Sequence, residues 1–186
     1  MIRVLVAAVS MMGLVGCAGS ADGKVAGHSL AVADAIFGTY KDDNGKNLGL
    51  QVYLADKPNL CDSLKANRQP KGGTAISFFL IRIGDNDVLA PDAVEYTVKE
   101  GLSVFTSKGN NASVTFDRQD SSCASTITNS AGAGKSGLIK LTNVKAETGG
   151  TANATFDVTF GDGSMKGSFN ATYCDLQSLS DNPNCE

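Results

Sequence analysis

The sequence predicts a mainly β domain: an antiparallel β-sandwich or flattened barrel of about nine to ten strands, with one short helix and disulfide staples. Three observations carry this. Apolar residues alternate with polar or small ones along most of the chain. Clusters of Gly, Asn and Asp separate the alternating runs. Four cysteines, Cys61, Cys123, Cys174 and Cys185, are spread through the same region. The length of 186 residues fits one domain with a sizeable core, read as residues 30–186.

The chain opens differently. Met1-Ile2-Arg3 supplies one positive charge, and Val4 to Val15 is a short, mostly apolar run. Such a run is too short to cross a hydrocarbon core of about 30 Å as a permanent helix, so residues 1–16 read as a secretory signal. The run ends in Leu14-Val15-Gly16-Cys17, which resembles the lipobox of bacterial lipoproteins: an aliphatic residue, small residues, then cysteine. The resemblance implies that Cys17 receives a diacylglycerol on its sulfur, that a peptidase cuts before it, and that the new amino terminus is acylated, palmitate being the usual kind of chain. Two or three acyl chains, at about 0.8 kcal/mol per buried CH₂, hold a protein stably on a membrane. Ala18 stands where some double-membrane bacteria use aspartate to retain a lipoprotein at the inner membrane, which implies the outer membrane here. Ala18 to Gly27 is small and polar, so residues 17–29 read as the lipidated cysteine and a flexible tether, with His28 solvent-exposed near its end.

Strands are predicted near 31–40, 48–54, 74–83, 94–99, 102–107, 111–117, 123–128, 137–145, 152–160 and 165–173. The clearest are Leu48, Leu50, Val52 and Leu54 on one face, then Ala152, Ala154, Phe156, Val158 and Phe160, then Met165, Phe169, Ala171 and Tyr173. Gly161-Asp162-Gly163-Ser164 joins the last two runs as a hairpin turn, and Asp43-Asn44-Gly45 and Gly109-Asn110-Asn111 read as further turns. Ile76 to Ile83 is apolar on both faces, as in a central strand covered on each side. The predicted helix has Asp56 as its cap, Pro58 in its first turn, and Leu60 and Leu64 on one face. It carries Cys61, so a disulfide is expected to pin it to the sheet.

With Cys17 assigned to lipid, an even set of four cysteines in an exported chain reads as two disulfides. The favoured pairing is Cys61–Cys123 with Cys174–Cys185, the second stapling a polar tail to the strand before it. Cys61–Cys174 and Cys61–Cys185 are the alternatives. Absence of a CxxC pair and of a nearby histidine argues against a metal site.

Asn59-Leu60-Cys61 after an early strand, and the terminal strand Gly167-Ser168-Phe169-Asn170-Ala171-Thr172-Tyr173-Cys174, resemble uncharacterised lipoproteins of some bacterial envelopes. The resemblance covers most of the chain after Cys17. It implies fold and compartment and brings no activity with it.

Composition excludes several chemistries. Sixteen Lys+Arg against nineteen Asp+Glu give a net charge of −3, so no basic field exists for a nucleic-acid backbone. A single histidine removes His triads and multi-histidine zinc sites. Ala133-Gly134-Lys135-Ser136 imitates the end of a phosphate loop, but Asn129 stands where the first glycine belongs and a strand follows, so it reads as a flexible turn loop. Asn111-Ala112-Ser113, Asn153-Ala154-Thr155 and Asn170-Ala171-Thr172 match the glycosylation pattern, but a lipobox-bearing bacterium generally lacks that machinery. Aspartates cluster at Asp42-Asp43, Asp85-Asn86-Asp87, Asp162 and Asp181-Asn182. Such loops could offer calcium its oxygens, but Lys46 breaks the twelve-residue loop pattern and Asx turns explain them. Neither Gly-x-Ser-x-Gly nor Ser-x-x-Lys is present. No tryptophan and four tyrosines make a poor sugar platform.

The expectation is therefore a non-enzymatic, lipid-anchored envelope protein with a structural or interaction role. Its partners are the membrane and an unidentified protein or apolar ligand, with no cofactor, metal or nucleic acid. The alternative is a binding module, for an apolar ligand in a barrel lined by Phe78, Phe79, Leu80 and Ile81 or for calcium at the Asp-rich turns.

Overall fold

The computed structural model describes residues 18–41, 45–176 and 184–185. In chain order the elements are β1 (Gly19–Val25), β2 (Asp34–Lys41), β3 (Asn47–Ala55), α1 (Leu60–Lys65), β4 (Arg68–Gln69), β5 (Thr74–Ile83), β6 (Val88–Leu89) and β7 (Glu95–Val98). There follow α2 (Ser103–Thr106), β8 (Gly109–Arg118), α3 (Asn129–Gly132), β9 (Gly134–Val144), β10 (Thr151–Phe160), β11 (Gly163–Tyr173) and β12 (Asn184–Cys185).

The protein is mainly β, and its main sheet closes on itself. The order β11-β10-β9-β7-β8-β5-β3-β2 returns to β11 through Thr172↔Ile36 and Tyr173↔Phe37. Closure removes the open edges that would otherwise template aggregation. Two pairings in this ring are parallel, β2–β11 and β7–β8, against the antiparallel expectation. The β7–β8 pair needs a crossover, and the connection carrying α2 provides it.

Alternation sorts the strands as the sequence predicts. Phe37, Val52, Phe78, Val114, Ile139 and Phe156 are buried inside one core cluster. The Phe78 ring meets Phe156 at 5.2 Å and Phe169 at 5.6 Å, so side chains from β5, β10 and β11 join across the interior. Phe78 and Leu80 are fully buried parts of this core, while Phe79 is only half-buried on the outer face. The hairpin forms as predicted, with Phe160 opposite Gly163 and only Gly161 and Asp162 between them.

Several expectations are corrected. Residues 18–27 are not a free tether: β1 runs antiparallel along β11 from Gly19↔Phe169 to Val25↔Gly163. Small residues make that contact possible. Gly23 has φ +120, and a Cβ there would stand 2.3 Å from the Ser164 carbonyl oxygen. His28 is half-buried rather than exposed, and its backbone exchanges two hydrogen bonds with Val25 at 2.9 Å. Residues 103–106 form α2 instead of a strand. Residues 123–128 are irregular, with an isolated bridge between Gln119 and Ser125 and a hydrogen bond from the Thr126 amide to the Arg118 carbonyl at 2.7 Å. Gly109 to Asn111 lies within β8, opposite Ile83 to Ile81, rather than in a turn. The turn at Asp43-Asn44 lies outside the described residues. Among the described residues there are three short helices, against the single one the sequence predicts.

Helix α1 carries the predicted Leu60 and Leu64 but starts later than predicted, which leaves Pro58 before it, and it is capped otherwise. Its N-cap residue, Asn59, is left-handed (φ 59) and gives no side-chain cap. Asp34 Oδ2 on β2 accepts from the Leu60 amide at 2.8 Å instead. Asp56 is used elsewhere: its Oδ1 accepts from Thr74 N at 2.9 Å and fixes the start of β5.

Candidate functional site

The four cysteines form two disulfides, in the pairing Cys61–Cys174 and Cys123–Cys185. The favoured Cys61–Cys123 and Cys174–Cys185 pairs are thus overturned. The reason is topological. Strand β11 ends beside β2, where the Cys174 amide donates to the Phe37 carbonyl at 2.7 Å, on the flank that α1 covers. The tail strand β12 instead pairs parallel with β4, Asn184↔Arg68 and Cys185↔Gln69, next to the loop that bears Cys123.

These two bonds secure the walls of a groove of about 220 Å³ on the outer face of β3, β5 and β8. Tyr53, Ala75, Ser77 and Asp117 line its floor, and Leu60 and Leu64 of α1 stand above them. Cys61–Cys174 fixes α1, and Cys123–Cys185 fixes β12 against the β4 side. Further hydrogen bonds tie the Cys123 loop to the turn after β4: Gly72 N to Asp120 O at 2.9 Å, and Gln119 N to Gly73 O at 2.8 Å. Polar and apolar residues line the groove in equal number, though the surface they expose to it is mostly apolar, and burial pushes the Tyr53 phenol above its usual range. Both carboxylates that reach it already have partners. Asp56 accepts from Thr74, and Asp117 accepts from Ser125 Oγ and from Gln119 Nε2. A groove of this size falls short of the roughly 300–1,000 Å³ typical of small-molecule sites.

The remaining sequence candidates resolve as structural parts. Asp87 pairs with Lys46 and Asp85 with Lys108, so each of these turn carboxylates faces a cation. Hydrogen bonding to Lys46 and to the Val88 amide lowers the Asp87 carboxyl below its usual range. Among the described residues, no three His, Cys, Asp or Glu side chains cluster so as to hold a metal ion. Asp42, Asp43, Asp181 and Asn182 lie outside them. Gly134-Lys135-Ser136 begins β9 rather than forming a loop, and Lys135 pairs with Glu100. Asn111 is buried and donates its Nδ2 to the Ser107 carbonyl, which puts it out of reach of modification from solvent.

Cys17 lies outside the described residues, but its neighbour does not. The Asn170 amide donates to the Ala18 carbonyl at 2.9 Å, which extends the β1–β11 pairing one residue upstream. Comparison with protein-family models, with curated proteins and with solved structures returns no match for this chain.

Proposed function

We propose that the protein is a lipid-anchored component of a bacterial envelope whose filled, flattened barrel serves a structural or interaction role and performs no catalysis. The observation that carries this reading is Leu14-Val15-Gly16-Cys17, with a folded strand beginning at Gly19. Residues 1–16 are the export signal, Cys17 is the lipidated amino terminus, and Ala18 favours the outer membrane over the inner. The interior supports a scaffold over a ligand carried inside the barrel, because Phe78, Phe156 and Phe169 meet there in ring contacts. Replacing Cys17 with Ala tests the anchor. The variant should leave the membrane fraction, and a variant that stays there contradicts the reading.

A second reading, a module for an apolar ligand, draws support from the groove between Tyr53, Leu60 and Leu64. Native and denaturing mass spectra of the same sample separate the two. A mass seen only in the native spectrum favours a ligand, and a bare chain favours the scaffold.

A further inference from the structure

We propose that the protein has no spacer between anchor and domain, and that the outer wall bearing Tyr40, Leu102 and Phe105 rests on the bilayer into which the Cys17 lipid inserts. The proposal rests on the lipid-anchor reading and adds an orientation to it.

Chain length keeps the anchor close to the domain. Ala18 is held to β11 by the Asn170 amide, and Cys17 is the next residue, so their Cα atoms are about 3.8 Å apart. A lipid on that sulfur starts within a side chain's length of the wall, and the domain cannot stand clear of the headgroups. The side of β11 that receives Ala18 also receives β2 two residues farther on, at Thr172 and Tyr173. The anchored edge is therefore next to the Ile36 end of β2, and Tyr40 lies four residues farther along the same strand, about 13 Å away.

Strand β2 and its neighbours also expose large apolar side chains. On their outer face an apolar strip crosses β2, β3 and β5. Helix α1 covers one end of it, packing Leu60 against Ile36, Ala55 and Cys174. The other end is bare. Tyr40 meets Phe79 at 5.9 Å between ring centroids, and Phe79 meets Phe105 at 5.6 Å. Gly49 leaves the room for this, since a Cβ there would lie 2.9 Å from the Phe79 ring. Tyr40 is 52% exposed, Phe105 53% and Leu102 80%. Phe and Leu on a short helical turn, with Tyr beside them, suit the boundary between headgroups and acyl chains. Lys99 stands just before that turn, with a stem long enough to keep its ammonium group among the headgroups, and Lys108 just after it is paired with Asp85. The opposite wall contrasts with this: there β9 offers Leu138 singly among charged and polar neighbours.

The absence of tryptophan makes the test direct. Full-length protein carrying Phe105→Trp is processed in a lipoprotein-exporting host and reconstituted into vesicles with brominated acyl chains. Leu138→Trp, four strands round the ring from β3, is the control, and Leu102→Trp repeats the test at a position where folding is not at stake. Mass spectrometry of each sample reports whether Cys17 is lipidated. With lipid on Cys17, the indole emission of the Phe105→Trp and Leu102→Trp proteins should be blue-shifted and quenched several-fold more than that of the Leu138→Trp protein. Equal quenching in lipidated protein overturns the orientation and leaves the anchor standing. An unlipidated Cys17 overturns both.

Discussion

Asp34, at the first position of β2, caps a helix twenty-six residues away by accepting the Leu60 amide at 2.8 Å on Oδ2, while its Oδ1 accepts the Ala35 amide at 2.8 Å. One carboxylate thus starts both a strand and a helix, and the helix can lie flat on the outer face of the sheet. Asp34→Ala should cost about 1–2 kcal/mol in denaturant unfolding, as loss of a helix cap usually does. Asp34→Asn, which keeps an acceptor, should lose less than half of that.

The disulfides divide the labour. Cys61–Cys174 spans 113 residues and Cys123–Cys185 spans 62. On loop-closure entropy alone, removing them singly by paired serine substitution costs about 5 and about 4 kcal/mol. Non-reducing peptide maps should show the 61/174 and 123/185 cross-links. Loss of the second pair should also free β4 and the turn after it, read as faster amide exchange at Gly72 and Gln119.

Strand β1 depends on the close approach of two backbones. Gly23→Val places a branched side chain against the Ser164 carbonyl in a conformation L residues avoid, at a cost of at least about 1–2 kcal/mol. Amide protection at residues 19–25 should fall while β5 and β8 keep theirs. In lipidated protein the released segment becomes a spacer, so adding Gly23→Val to the Phe105→Trp protein should reduce its quenching in brominated vesicles.

Acid should loosen the loop that carries Cys123. The Ser122 hydroxyl, the Ser122 amide and the Ala124 amide all donate to Asp120 Oδ1, and together they lower its carboxyl below the usual range. A carboxyl lowered by folding stabilises the fold above its unfolded pKa, and that contribution is lost as pH falls through the lowered native value. Amide protection at Ser122 and Ala124, taken relative to the intrinsic exchange rate, should therefore fall in that acid window. Asp120→Asn, which does not titrate, should remove the pH dependence.

Much of this fold is legible in the sequence because period-two alternation needs only one buried face. The runs at Leu48 to Leu54, Ala152 to Phe160 and Met165 to Tyr173 all become strands within a residue or two of their predicted limits. What escaped depends on contacts between distant segments. Gly19 to Val25 carries little hydrophobic pattern, because its pairing with β11 is made by missing side chains rather than by apolar ones. Leu102, Val104 and Phe105 suit a strand by composition, yet the parallel β7–β8 pairing needs a crossover there, and a single helical turn supplies it. Cysteine pairing is set by where β11 and β12 end, which no spacing encodes. The exposed ring cluster could be read only in part: Phe79 stood out in an apolar strand, while Tyr40 and Phe105 join it only through the ring and the open space at Gly49.

Lipid anchoring is tested most directly by the mass of the amino-terminal peptide of protein extracted from membranes. The expected peptide begins at Cys17, without residues 1–16, and is heavier by a diacylglyceryl group and an amide-linked acyl chain. A peptide that begins at Cys17 or elsewhere without lipid, or one that still begins at Met1, would contradict the lipid anchor.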